Sequence, residues 1–302
     1  MPENWLKGIS RNIFRWYLSR FPLRDGKAYF YQSLNSRLAP AERWVTVRLD
    51  QGFKMKLDLN DTEQRKLYFY GHYHERYEAA LVRRLLEADE VFWDIGANVG
   101  YFTLVAATAL NNSGQILAFE PGGPAYERLV DNIALNPFTN IHPYNLAVSD
   151  AEGEAVLYLA GDFADSSASL YQAGLEPGDR QVCRTVCLDK FLGEPGLRPP
   201  DFLKIDVEGA ELAVLKGAQS LMAAHQPLLL LEMEEKNLAA AGASKADIQA
   251  LLTGYGYRAA HLHKGRWRRI EDVAAARGRN LFWFNPALPQ HRQKAGRVLN
   301  LN

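Results

Sequence analysis

Cysteine is scarce in this sequence: 302 residues hold two, Cys183 and Cys187. Two cannot build a disulfide framework. They stand four apart in a strand-like run, so one face can hold both, and they read as reduced packing residues of a cytosolic protein. Long apolar runs are also lacking, and no stretch is of the length that spans a bilayer. Near the N-terminus no apolar segment leads to a small-residue cleavage site, which argues against a secretory signal. Neither charge is in excess: 35 Lys and Arg balance 35 Asp and Glu. A dedicated nucleic-acid binder shows a basic surplus, so that class of partner is not expected. Internal repeats and low-complexity segments are missing too.

What is present is the composition of an ordered globular chain, 47% hydrophobic and 23% charged. The length suits one large α/β domain with an appendage, or two small domains. Trp5, Leu6, Ile9, Ile13, Trp16 and Tyr17 recur at helical spacing among Lys7, Arg11, Arg15 and Arg20. The first reading is a helix covering the main domain or a partner subunit; the second is a helix lying on an anionic membrane. Residues 44–49 and 53–57 alternate with period two around Asp50-Gln51-Gly52, a β-hairpin pattern. Asp61 is a candidate N-cap for a helix reaching Phe69, and another helix is expected over Glu75–Leu86. These segments form an N-terminal extension, residues 1–86, ahead of a main domain over 87–302.

From Val91 onward short apolar runs alternate with helical stretches. The runs are 91–93, 115–119, 143–147, 202–205 and 228–231; the helices are expected over 101–110, 125–135 and 210–224. Apolar runs bounded by turn residues suit strands buried on both faces of a parallel sheet. The alternation implies a doubly wound α/β fold. Further strands are expected over 155–159 and 181–188, before the Phe202 strand, and over 257–263, 267–270 and 281–284.

The chemistry starts at Asp94-Ile95-Gly96-Ala97-Asn98-Val99-Gly100, which follows a strand and opens a helix. Gly96 and Gly100 permit a sharp turn and close approach of a ligand, and the helix start offers unpaired N–H groups. Glu120, at the end of the next strand, can take both hydroxyls of a ribose. A dinucleotide site needs Gly-x-Gly-x-x-Gly, but Asn98 holds the middle position and Tyr101 the last; no Gly-Lys-Ser/Thr follows for a P-loop. Asp94 repels phosphate and suits a ligand bearing an ammonium or sulfonium cation. S-adenosylmethionine carries both, with a ribose and no phosphate. A nicotinamide-dependent oxidoreductase and a non-catalytic nucleoside-binding protein stand as alternatives.

A second cluster lies in Asp201-Phe202-Leu203-Lys204-Ile205-Asp206-Val207-Glu208-Gly209-Ala210-Glu211, a buried strand ending in acids. Ligands of open α/β sheets bind beyond the carboxyl ends of the strands. Lys204, Asp206 and Glu208 alternate, so they can share a side, and the next strand ends in Glu232 and Glu234. Lys204 reads as a structural ion-pair partner. Asp206 is the first candidate for a general base, Glu232 the second and Glu208 the third. Hard cations take carboxylate oxygens, but the expectation is a site without metal. The basic run His261–Arg269 reads as a solvated hairpin, with a grip on an acidic acceptor as its second reading.

Four segments carry a specific resemblance: Phe92–Thr103, Ala118–Pro121, Asn145–Asp150, and Leu203–Glu211 running on to Val214–Gly217. Together with Tyr70–Glu75 they are similar to the FkbM-type family of S-adenosylmethionine-dependent methyltransferases, over about residues 70–284. The resemblance implies a Rossmann-like, mostly parallel seven-stranded sheet of the class I methyltransferase type. It implies that Asp94, Gly96, Asn98 and Gly100 surround the methionine part of the cofactor, that Glu120 holds the ribose, and that Ala147, Val148 and Asp150 line the adenine. It also implies methylation of a hydroxyl on a saccharide or secondary metabolite, so the expected partner is a small-molecule or glycan acceptor. The N-terminal helix and hairpin are candidate contacts of a homo-oligomer.

Overall fold

The computed structural model describes residues 5–21, 26–159, 168–171, 180–276 and 278–299. Two compact units divide between Arg76 and Tyr77, ahead of the boundary at 86 drawn from the sequence. The first unit holds helices α1 (Trp5–Arg20) and α2 (Lys27–Leu38), the hairpin β1 (Trp44–Arg48) and β2 (Lys54–Asp58), and helix α3 (Thr62–Tyr70). The hairpin pairs as its alternation requires, Val47 opposite Met55. Met55 and Leu57 are buried, as are Leu67 and Phe69 of α3. Phe14 of α1 and Tyr31 of α2 both meet the Phe69 ring edge-on, at 5.5 and 5.9 Å. The apolar stripe read from the sequence lies on the exposed side of α1. Phe14 and Leu18 are the buried residues of α1, and Trp5, Leu6, Ile9, Ile13 and Trp16 are exposed.

Asp61 caps α3 as its side-chain chemistry dictates. Its buried carboxylate accepts from the Glu63 and Gln64 N–H groups, each at 2.9 Å, and from Gln64 Nε2. Asp61→Ala is expected to lose about 1–2 kcal/mol of stability in urea unfolding, the range for a lost N-cap; an unchanged midpoint would show that the cap contributes little.

The second unit takes all but the first residue of α4 (Arg76–Leu85) and is built on a large sheet. Along the chain come β3 (Val91–Ile95), α5 (Tyr101–Leu110), β4 (Gln115–Phe119), α6 (Gly123–Ala134), β5 (Ile141–Tyr144), β6 (Ala147–Val148), β7 (Gly153–Leu159), β8 (Ala168–Ser169) and β9 (Arg180–Val186). Then follow α7 (Leu188–Phe191), β10 (Phe202–Ile205), α8 (Glu211–Lys216), α9 (Gln219–Ala224), β11 (Leu228–Glu232), α10 (Glu235–Ala240), α11 (Lys245–Gly254), β12 (Arg258–His263), β13 (Arg266–Ile270), β14 (Asn280–Phe284) and α12 (Pro289–Gly296). The sheet has eight strands in the order β13-β12-β14-β11-β10-β3-β4-β5. The five from β11 to β5 are parallel, and β14 runs antiparallel between β11 and β12. This is the mostly parallel, Rossmann-like class I methyltransferase fold, with β13 as an eighth strand added at the edge by a hairpin. Every residue of β3, β10 and β11 is buried, because helices cover both faces of a parallel sheet.

Three expected elements differ. The run 143–147 is not one strand: β5 ends at Tyr144 and β6 starts at Ala147 in a separate four-stranded sheet, β6-β9-β7-β8. Asn145 makes the break, since its Nδ2 donates to the Glu120 and Pro121 carbonyls at 2.8 and 3.1 Å. The helix expected over 210–224 is two, α8 and α9, parted at Gly217. A Cβ there would stand 2.1 Å from the Ser149 carbonyl oxygen, and the Gly217 carbonyl accepts from Asp189 N–H. The strand expected to reach Leu188 ends at Val186, because Cys187 caps α7. Both cysteines are free and buried. Among the described residues no helix is long and apolar enough to cross a membrane.

Candidate active site

The carboxyl ends of β3, β4, β10 and β11 lie side by side and deliver acids to one edge. Register sets Lys204 of β10 beside Asp94 of β3. Asp94 is fully buried; its Oδ2 accepts from Thr103 Oγ1 at 2.6 Å, while its Oδ1 accepts no hydrogen bond among the described residues. The Lys204 ammonium stands 3.8 Å from that Oδ1, 3.0 Å from Asp206 Oδ2 and 4.8 Å from the centre of the Phe102 ring. Burial pushes the Asp94 carboxyl above its ordinary range, against the pull of Lys204 and Thr103.

The loop after β3 is pinned from both sides. Gly96 and Ala97 N–H groups donate to the Phe119 carbonyl at the end of β4, and Asp206 N–H donates to the Ile95 carbonyl. Gly96, Asn98 and Gly100 all have positive φ, at 79°, 48° and 90°. Asn98 N–H donates to one oxygen of Glu120 and Gly122 N–H to the other, both at 2.8 Å. Each oxygen keeps a second lone pair for a ligand hydroxyl. Burial raises the Glu120 carboxyl to about 7, and Asp94 and Asp206 add to the rise.

Asp206 follows the last residue of β10. Burial works to raise its carboxyl, but Lys204, a hydrogen bond from Glu232 and Arg279 outweigh burial and hold it below the usual range. Glu208 does not continue the strand alternation: β10 has ended and its φ is +52°. Its carboxylate accepts from Asn237 Nδ2, and its carbonyl from Ser169 Oγ. Burial and the Asp206 charge lift Glu208 to about 7. Glu232 ends β11 and pairs with Arg279 at 3.0 Å, while Glu234 lies 3.6 Å from the same guanidinium.

Asp94, Gly96, Asn98, Gly100, Glu120, Asp206, Glu208 and Glu232 therefore gather at one end of the sheet. Ala147 and Val148 are buried on β6, where the chain leaves β5 for the second sheet; Asp150 is exposed and accepts from Ser149 Oγ. The basic run forms the β12–β13 hairpin, with Arg266, Arg268 and Arg269 exposed. Sequence reasoning missed Thr103, Asn237 and Arg279. Thr103 lies on α5, where nothing local in the sequence reveals its bond to Asp94. Arg279 is placed by pairing alone, since its neighbour Asn280 is opposite Glu232. Glu211 was read as part of the motif and turns out to be a brace: buried, it accepts from the Val207 and Gly209 N–H groups and holds the turn that carries Glu208.

The chain is similar to several known proteins. AMB antimetabolite synthetase AmbE of Pseudomonas aeruginosa is 29% identical over 251 residues, covering 72% of this chain and 12% of that protein. Hexuronic acid methyltransferase AglP of Haloferax volcanii is 30% identical over 145 residues, 47% of this chain and 56% of that protein. The chain thus spans about half of the length of one of these curated relatives and far less of the other. A solved structure, methyltransferase FkbM from Methylobacillus flagellatus KT, superposes with a TM-score of 0.44 at 16% identity, covering 86% of this chain and 61% of that one. Residues 94–259, more than half of the chain, match the family model described as the methyltransferase FkbM domain, and the chain belongs to that family of methyltransferases.

Proposed function

We propose that the enzyme is an S-adenosylmethionine-dependent O-methyltransferase acting on a hydroxyl of a saccharide or secondary metabolite. The observation that carries the cofactor is Asp94 Oδ1, a fully buried carboxyl oxygen that accepts no hydrogen bond among the described residues, at the start of a loop that turns through positive φ at Gly96 and Gly100. Such an atom is costly unless a ligand meets it, and a cationic amine meets it best. Glu120 has lone pairs for ribose hydroxyls, and Asn98, Gly96 and Gly100 shape the loop between them. Ala147, Val148 and Asp150 are assigned to the adenine side. The name of AglP, a hexuronic acid methyltransferase, supports a saccharide acceptor. The buried thiols of Cys183 and Cys187 fit a reducing, cytoplasmic setting.

The cofactor supplies a methyl already activated on a sulfonium, so positioning, exclusion of water and proton removal remain for the protein. Asp206, ionised at neutral pH and held by Lys204, takes the proton of the acceptor hydroxyl. Glu232 and the Arg279 charge help to hold the Asp206 carboxyl low, and Glu208 feels the Asp206 charge at the same acidic edge. Separate calorimetric titrations with S-adenosylmethionine and NADH test the cofactor. Heat with the first alone is expected; heat with NADH alone would overturn the reading. Transfer of labelled methyl to fractionated lysate of the source cell tests the acceptor, with label expected in a hydroxyl-bearing small molecule or glycan.

Glu120 makes cofactor binding depend on pH. In the free protein it takes a proton near pH 7, and the ionised form accepts the ribose hydroxyls. Affinity is therefore full above about pH 8 and falls about tenfold per unit below about pH 7. Glu120→Gln is expected to bind weakly at every pH, without this slope. A wild-type affinity that is flat between pH 6 and 8 would remove Glu120 from the ribose.

A further inference from the structure

The first unit carries an apolar face that methyl transfer does not use. With successive residues about 100° apart on a helix, Trp5, Leu6, Ile9, Ile13 and Trp16 fall on one arc of α1. Phe14 and Leu18 point the other way, into the core of the unit. Trp5 is 75% exposed, Leu6 and Ile13 61%, and Trp16 54%. The face continues onto α2, where Tyr29 and Phe30 are exposed and the Phe30 ring meets Tyr17 at 5.8 Å. A contiguous exposed apolar patch of this kind marks an interaction site.

Charge identifies the occupant. The chain as a whole is neutral, yet α1 and α2 hold no acid. Arg15 and Lys27 are engaged by the Tyr68 and Leu18 carbonyls, while Arg20, which falls within the apolar arc of α1, and Arg37 are exposed cations. Two copies meeting through this face would bring these cations together, since a twofold interface sets the same patch against itself. An anionic bilayer suits both features: headgroup charge draws the cations, and Trp, Tyr, Ile and Leu enter the boundary between headgroups and acyl chains. We propose that α1 and α2 form a docking surface for an anionic lipid bilayer, laying the apolar arc of α1 in the plane of its surface. The site requires no spanning segment and is independent of the methyl-transfer reading.

The test is co-sedimentation of the full chain with vesicles of phosphatidylcholine alone or mixed with phosphatidylglycerol. Binding is expected on the mixed vesicles, with release by high salt as screening shortens the reach of the charges. The triple variant Trp5→Ser, Ile13→Ser, Trp16→Ser changes only exposed positions, and its helical content by circular dichroism is expected to match wild type while its vesicle binding is lost. The double variant Arg20→Glu, Arg37→Glu, also at exposed positions, is expected to bind about tenfold or more weaker, and it carries the test by itself where the triple variant fails to fold. Wild-type protein that stays in the supernatant with phosphatidylglycerol vesicles overturns the proposal. So does a folded triple variant that sediments like wild type. A wild-type dimer in sedimentation velocity that the triple variant dissolves overturns it as well, by assigning the face to a second copy.

Discussion

Gly96→Ala is expected to be the most damaging single-methyl change in the protein. A Cβ at position 96 would stand 1.8 Å from the Asp206 carbonyl oxygen and 2.8 Å from its carbon. These are backbone atoms, so no side-chain rotation relieves the clash. Neither strand is free to yield: Gly96 N–H is bound to the Phe119 carbonyl of β4, and Asp206 N–H to the Ile95 carbonyl of β3. The φ of +79° adds a left-handed penalty of about 1–2 kcal/mol for alanine, and overpacking a tight site costs about 1–3 kcal/mol more. The sum is a large part of the roughly 5–15 kcal/mol that holds a domain folded. Any relief separates Asp94 from Asp206, so cofactor heat should vanish wherever the variant stays folded. Two other positions calibrate the effect. Gly100→Ala meets Leu129 Cδ1 at 2.7 Å, a side-chain atom that can turn, and should cost less. Gly254→Ala meets nothing within 4 Å and should be neutral or stabilising. Denaturant midpoints that do not rank in this order, or Gly96→Ala within about 1 kcal/mol of wild type, would show that the loop is not pinned as described.

The same contacts explain why the loop was readable and other parts were not. Asp94, Glu120 and Asp206 stand where buried apolar runs end, and in a parallel sheet those ends share an edge, so pattern and topology suffice to gather them. Glu208 was assigned to the same face by strand alternation, which stops at Ile205; its left-handed φ and the Asn237 bond are what aim it. Gly217 looks like a helix-interior glycine until Ser149, far away in sequence, comes up against it. The Asn145 break is likewise a side chain reaching the carbonyls of Glu120 and Pro121. Periodicity found α1 and its apolar stripe, but spacing reports that a stripe exists and not what lies against it. Arg279 lacks even that signal: only the antiparallel pairing of β14 with β11 brings it to Glu232 and Glu234.

Asp206→Asn is expected to lower kcat by about 10²–10⁴, the range for a lost general base, while changing the S-adenosylmethionine Kd little. Asparagine has the same shape, and its oxygen can still accept from Lys204 Nζ, which lies 3.0 Å from Asp206 Oδ2. Lys204 therefore has no cause to swing onto Asp94 and neutralise the carboxylate assigned to the cofactor cation. What the variant loses is the charge and the proton acceptor. The lost charge has its own signature. Asp206 is among the groups that raise Glu120, Glu208 and Glu211, so its removal should move the pH dependence of cofactor binding to lower pH. A residue with a purely structural role in the turn would not produce that shift while leaving Kd intact at pH 8. Loss of cofactor binding in Asp206→Asn would make the residue part of the cofactor site and overturn its assignment as base. Full activity would pass the role to Glu208, which titrates at about 7 and so lies close to the working pH of a general base. In that case Glu208→Gln should abolish turnover, and the rise of wild-type kcat through pH 7 should vanish with it.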